Sequence, residues 1–136
     1  MSTYYTSVNR YGNNILLRGV QNGQRVDKKI HFTPTLFIPA EKDTGWKTLY
    51  GQNVLPKYFD SMREAGDYIR QYEGVENFHV YGTTNYVTQF ITEHYSNEIH
   101  FDRDKINVTT IDIEVASDDG FPFVAEAAHP VITITM

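Results

Sequence analysis

Ile15-Leu16-Leu17-Arg18-Gly19-Val20-Gln21-Asn22-Gly23-Gln24-Arg25-Val26-Asp27-Lys28-Lys29-Ile30-His31-Phe32 decides the fold class. Asn22-Gly23 between two strand-like runs is the strongest short hairpin signal a sequence carries. In the second run Val26, Lys28 and Ile30 share one face, and Asp27, Lys29 and His31 the other. Upstream, Tyr4-Tyr5-Thr6-Ser7-Val8 is rich in strand formers, and Arg10-Tyr11-Gly12-Asn13-Asn14 supplies turn chemistry before the hairpin. Downstream, Pro34 breaks the pattern and Leu36-Phe37-Ile38 reads as a short buried strand. Asp43-Thr44-Gly45 and Gly51-Gln52-Asn53 mark loops around Trp46 to Tyr50.

Helices follow. Ser61-Met62-Arg63-Glu64 is a capping box, in which the Ser61 hydroxyl accepts from the Glu64 N–H and the Glu64 carboxylate reaches back. Met62, Ala65, Ile69 and Tyr72 continue at helical spacing, and Gly74 stands where a left-handed cap belongs. Phe78-His79-Val80-Tyr81 reads as a strand. Thr83 to Tyr95 puts Val87, Phe90, Ile91 and Tyr95 on one helical face, although its β-branched and aromatic content also suits a strand. Lys105 to Val115 is strand-like, Asp118-Asp119-Gly120-Phe121-Pro122 is a turn, and Val131 to Met136 is a final strand. The expected class is α+β: antiparallel hairpins with one or two helices packed on a sheet.

At 136 residues the chain is about one domain, long enough to bury a core. Hydrophobic content of 40% and charged content of 21% exclude a disordered protein. No stretch is apolar enough for a membrane helix, and no partner membrane is expected. The start Met1-Ser2-Thr3-Tyr4-Tyr5 lacks the features of a signal peptide. Without cysteine there is no disulfide scaffold and no thiolate chemistry, which fits a reducing cytoplasm. His31, His79, His94, His100 and His129 form no zinc-binding spacing.

The net charge of −5 hides an asymmetry. Residues 1–57 carry eight Lys/Arg against three acids, and residues 58–136 carry four against fourteen. The basic half suits phosphate contacts and the acidic half suits metal ions, although two solvated surfaces of opposite sign account for the same split. Arg10, Arg18, Arg25, Lys28 and Lys29 are the candidate nucleic-acid contacts, since the hairpin gathers several of them near one edge. Tyr4, Tyr5, Tyr11, Phe32, Phe37 and Tyr81 are candidates to stack on bases, each also a candidate for the core.

In Thr110-Ile111-Asp112-Ile113-Glu114-Val115 side chains alternate across a strand. Ile111, Ile113 and Val115 point toward a core, while Asp112 and Glu114 share the opposite face with Cα atoms about 7 Å apart. Hard carboxylate ligands on a rigid strand are what a two-metal phosphodiester site of Mg²⁺ or Mn²⁺ needs. The same alternation is commonplace on a half-exposed strand.

The run Thr110 to Pro122, centred on Asp112-Ile113-Glu114, resembles the first exonuclease motif of family B DNA polymerases. Gly120-Phe121-Pro122 and His129-Pro130-Val131 look like the T-even-type bacteriophage branch. Tyr4-Tyr5, Thr35-Leu36-Phe37, Met62-Arg63-Glu64-Ala65 and Tyr95-Ser96-Asn97-Glu98-Ile99 look like that branch's N-terminal domain. The resemblance implies that residues 1–105 are an N-terminal domain and that 106–136 open a 3′→5′ proofreading exonuclease of ribonuclease H-like fold with its first β-hairpin. It assigns Asp112 and Glu114 as two of four carboxylates that bind the Mg²⁺ or Mn²⁺ of that exonuclease. The other exonuclease motifs and all polymerase motifs are absent, so the chain by itself is expected to be inert. The implied partners are the single-stranded DNA template, the polymerase's own messenger RNA and the remainder of the polymerase, in the cytoplasm of an infected bacterium.

Two alternatives stand beside this reading. One is a freestanding single-stranded nucleic-acid-binding module, or one piece of a split polymerase. The other is a small metal-dependent nuclease using Asp112 and Glu114, with Asp118, Asp119 and Glu126 in the neighbouring loop. The chain also stops within an apolar strand, which reads either as the terminal strand of a complete sheet or as a truncated domain.

Overall fold

The computed structural model describes residues 2–95, 97–117, 120, 123, 125–127 and 129–136. Two compact units divide the chain, Met1–Phe101 and Asp102–Met136. The class is α+β, as expected from the sequence.

The first unit begins with three antiparallel strands in sequence order: β1 (Tyr4–Tyr11), β2 (Asn14–Gln21) and β3 (Gln24–His31). Asn22 at φ 50° and Gly23 at φ 77° close the β2–β3 hairpin in the left-handed region that a two-residue turn requires. Ile15, Leu17 and Gly19 face Ile30, Lys28 and Val26 across this hairpin, so the alternation read from the sequence sets the register. Between β1 and β2 the pairing slips by one residue after Tyr5, leaving Thr6 as a bulge.

A second sheet has the order β4 (Thr35–Pro39), β6 (Asn53–Tyr58), β5 (Trp46–Lys47). Strand β6 is absent from the sequence reading, and Pro56 within it is the reason. Its proline is tolerated because Phe37, opposite Pro56, directs its N–H and C=O to Tyr81 on the far side, at 2.9 and 2.8 Å. Phe37 and Pro56 are therefore a non-hydrogen-bonded pair, and β5 pairs only with Val54 and Asn53. The missing N–H faces an edge where no strand asks for it.

The outer edge of β4 is covered residue by residue. Thr35 donates its N–H to Gln89 Oε1 at 3.2 Å, and the Gln89 amide donates back to the Thr35 carbonyl. Tyr81 takes both groups of Phe37. This corrects the expected strand over Phe78–Tyr81, of which only one bridging residue forms. Asn77 at φ 60° and Gly82 at φ 117° turn the chain away on either side of it.

Helix α1 (Met62–Tyr72) starts at the expected capping box. Glu64 N–H donates to Ser61 Oγ at 3.1 Å, but the Glu64 carboxylate accepts from Asp60 N–H at 2.7 Å rather than from Ser61. Gly74 at φ 77° follows the helix in the left-handed conformation. Replacing Ser61 with Ala is expected to cost about 1 kcal/mol. Urea unfolding of Ser61→Ala checks this, and an unchanged midpoint would mean that Asp60 and Glu64 alone hold the helix start.

The ambiguous Thr83–Tyr95 stretch forms helix α2 (Tyr86–His94), capped by Asn85, whose side chain accepts from Thr88 N–H at 3.2 Å. Burial decides the matter, since Tyr86 and Phe90 drop into one core with Ile15, Leu17, Phe32, Leu36, Phe59, Met62 and Ala65.

In the second unit, Lys105 to Val115 is not one strand. Arg103–Lys105 is a 3₁₀ turn, and of the described residues in this stretch β7 (Asp112–Val115) forms a strand, paired with β8 (Val131–Thr135). Ile106 caps the 3₁₀ turn by donating its N–H to the Arg103 carbonyl at 3.0 Å. Of the expected turn, Asp118, Asp119, Phe121 and Pro122 lie outside the described residues.

Candidate functional site

Asp112 and Glu114 stand two residues apart on β7, so the pleat puts both carboxylates on one face, opposite Thr135 and Thr133 of β8. Both are exposed. Among the described residues no group of three His, Asp or Glu side chains converges on a metal-sized site. The two carboxylates and two threonine hydroxyls are hard oxygen donors of the kind Mg²⁺ and Mn²⁺ accept. Asp118 and Asp119, weighed as further ligands, lie outside the described residues, and Glu126 is exposed in the connecting segment.

The other face of the hairpin is apolar and open. Ile111, Ile113, Ile132 and Ile134 are 60%, 55%, 65% and 59% exposed. The alternation thus forms as read, and among the described residues those isoleucines stay more than half exposed. A two-stranded hairpin with a bare apolar face is marginal in water without a covering layer.

The five basic candidates all lie on the β1–β3 sheet but divide between its faces. Arg18, Arg25 and Lys29 share the outward face with Asp27, and Arg18 pairs with Asp27 at 3.1 Å. Lys29 Nζ sits 5.3 Å from the centre of the Tyr11 ring. Arg10 and Lys28 project from the opposite face, in the rows of Ile15 and Leu17. Lys28 donates to Gln21 Oε1, and Arg10 donates its Nε–H to the Gly12 carbonyl at 3.1 Å. The hairpin thus carries Arg18, Arg25 and Lys29 on one face, with Arg10 and Lys28 on the other. Of the aromatic candidates, Tyr4 and Phe32 are buried, Tyr5 packs edge-on against Tyr95 at 5.2 Å, and only Tyr11 is largely exposed.

Arg10 instead faces two arginines that the sequence reading passed over. Arg10, Arg63 and Arg70 line one cleft of about 640 Å³ with Asn13, Thr84 and Tyr86. The Arg10 guanidinium lies 5.4 Å from the Tyr86 ring centre. Burial pushes the Tyr86 phenol pKa upward, and the Arg10 charge opposes that rise. Arg63 and Arg70 are two helical turns apart on α1, a spacing that places them on one face and could have revealed the pair. A larger cleft of about 900 Å³, lined by Tyr72, Phe78, His79 and Tyr81, includes no Lys or Arg.

No family model matches the chain. It is 31% identical over 136 residues, 99% of its length, to the DNA-directed DNA polymerase of Enterobacteria phage T4. It is 32% identical over 138 residues to the DNA-directed DNA polymerase of Escherichia phage RB69, again over 99% of its length. The resemblance to T-even-type phage polymerases is borne out by this similarity. The chain spans about 15% of the length of these curated relatives. No helix among the described residues is long and apolar enough to cross a membrane.

Proposed function

We propose that this chain is the N-terminal portion of a phage replicative DNA polymerase of the T-even-type branch of family B. The observation that supports it is similarity along 99% of the chain to two phage DNA-directed DNA polymerases. In this reading residues 1–105 are the N-terminal domain and residues 106–136 open the 3′→5′ exonuclease. The bare isoleucine face of the β7–β8 hairpin agrees with it, because a ribonuclease H-like sheet would cover that face with its further elements. Asp112 and Glu114 are then two of the ligands for Mg²⁺ or Mn²⁺, ions that supply an activated water for attack on a phosphodiester. The remaining ligands belong to the remainder of the polymerase, which is the first partner. The single-stranded template is the second, met by the first unit, and the polymerase's own messenger RNA is a third. The setting is the cytoplasm of the infected host.

Two carboxylates without their companions do not position two ions, so the isolated chain is expected to be inactive as a nuclease. A 3′-labelled single strand incubated with the chain across a Mn²⁺ titration should show no excision above that of the double variant Asp112→Ala, Glu114→Ala. Excision by the parent chain that disappears in the double variant would overturn the reading and make the chain a self-contained metal nuclease.

A further inference from the structure

We propose that the three-arginine cleft between α1 and the Arg10–Asn13 turn binds the phosphate backbone of a single nucleic-acid strand. The inference rests on the proposed nucleic-acid contact of the first unit for its choice of ligand, and it moves that contact from the hairpin to the cleft. Three chain segments build the site, with Thr84 and Tyr86 the third. The end of β1 supplies Arg10 and the turn after it Asn13, and the first turn of α1 supplies Arg63, whose N–H donates to Asn13 Oδ1 at 3.0 Å. That bond uses one of the donors left open at the helix start and locks the turn onto α1.

The cations are held and accessible. Arg10 is fixed by the Tyr86 ring below it and by the Gly12 carbonyl. Arg70 pairs with Asp67 one turn away, both side chains more than half exposed, so a phosphate can displace the aspartate at little cost. Arg10 and Arg63 have no carboxylate within ion-pair distance among the described residues. Gly66 lies on the cleft floor between Arg63 and Arg70, leaving the approach open.

Spacing and shape select the ligand. Seven helical residues put the Cα atoms of Arg63 and Arg70 about 10 Å apart along the axis, and with Arg10 across the cleft the three cations match a ligand that carries more than one negative charge. Guanidinium groups bind phosphate oxygens through paired N–H donors. The only aromatic ring among the described residues lining the cleft, Tyr86, is 5% exposed, which leaves no face on which a base can stack. Backbone contact without base contact is the signature of sequence-tolerant strand binding rather than of a nucleotide pocket.

The test is an anisotropy titration of a labelled oligothymidylate with the whole chain at several salt concentrations. Losing two phosphate contacts at about −0.7 in the log–log slope each predicts that Arg63→Ala, Arg70→Ala flattens the slope by about 1.4 and weakens binding roughly 25-fold at 0.1 M salt. Gly66→Asp is the second variant, placing a carboxylate between the arginines. A Cβ there meets only the Arg70 guanidinium at 3.8 Å, so the helix accommodates it, and binding is expected to fall again. Lys28→Glu, Lys29→Glu on the hairpin is expected to weaken binding less than either. If the lysine reversal abolishes binding and both cleft variants bind as the parent does, the cleft is wrong while strand binding by the first unit stands. If the parent chain binds no strand, both readings fall. Tripolyphosphate displacing the strand at equal phosphate concentration would make free polyphosphate, not a strand, the ligand and overturn the proposal.

Discussion

Replacing Phe90 with Ala should remove about 3–5 kcal/mol of stability from the first unit, a large share of the 5–15 kcal/mol a domain of this size commands. Phe90 is 0% exposed and, with Tyr86, carries α2 into the core. Its ring meets Phe32 edge-on at 5.8 Å and 76°, and it stacks on His94 at 4.0 Å. Truncation therefore leaves a cavity bounded by two helices and the β1–β3 sheet, and backbone hydrogen bonds on every side keep it from collapsing. The consequence spreads, because Gln89 on the same helix holds both backbone groups of Thr35 at the β4 edge. Urea unfolding is followed by the fluorescence of Trp46, the sole tryptophan, which reports the second sheet, where it meets Phe37 of β4 at 5.3 Å. Phe90→Leu, which retains most of the volume, should cost less than half as much. A loss below about 1 kcal/mol for the alanine variant would show that α2 does not close this core.

Local chemistry was legible in the sequence, and long-range assembly was not. The Asn22-Gly23 turn and the Ser61–Glu64 cap each depend on residues within four positions of one another, and both form where the sequence places them. Strand β6 hid behind Pro56, because a sequence does not say which side of a strand is unpaired. Phe78–Tyr81 had strand composition but found a partner at one residue only. The carboxylate pair on β7 was legible from a period of two. The arginine cleft was not, since it joins position 10 of a basic segment to positions 63 and 70 of an acidic one. Segment-averaged charge pointed toward the hairpin, where Arg18 turned out to be paired with Asp27. The two-fold division of the basic residues between sheet faces follows from the register, which the turn sets and the composition does not reveal.

Gly19→Ala is expected to destabilise the first unit by about 3 kcal/mol, against the usual direction for removing a glycine from a strand. A Cβ built on Gly19 lies 2.3 Å from the Tyr4 carbonyl oxygen and 2.9 Å from the Tyr5 Cα, so the backbone of β1 itself must move. The crowding arises from the bulge at Thr6, which brings Tyr4 and Tyr5 across the strand opposite Val20 and Gly19. Displacing them exposes Tyr4 and Val20, each 1% exposed, and separates the Tyr5 ring from Tyr95 on the far end of α2. The damage should be local to the start of β1. Arg10 sits near the other end of that strand, beyond Val8 and Asn9, whose pairing with Leu17 and Leu16 is regular. Hydrogen exchange of Gly19→Ala should therefore show lost protection in the residues pairing with Tyr4 and Tyr5, and retained protection around Arg10 and Ile15. Strand binding at the arginine cleft should survive in the fraction that remains folded. A variant as stable as the parent would mean that β1 slides past position 19 without cost, and the bulge would then be an accident of packing rather than the feature that demands glycine.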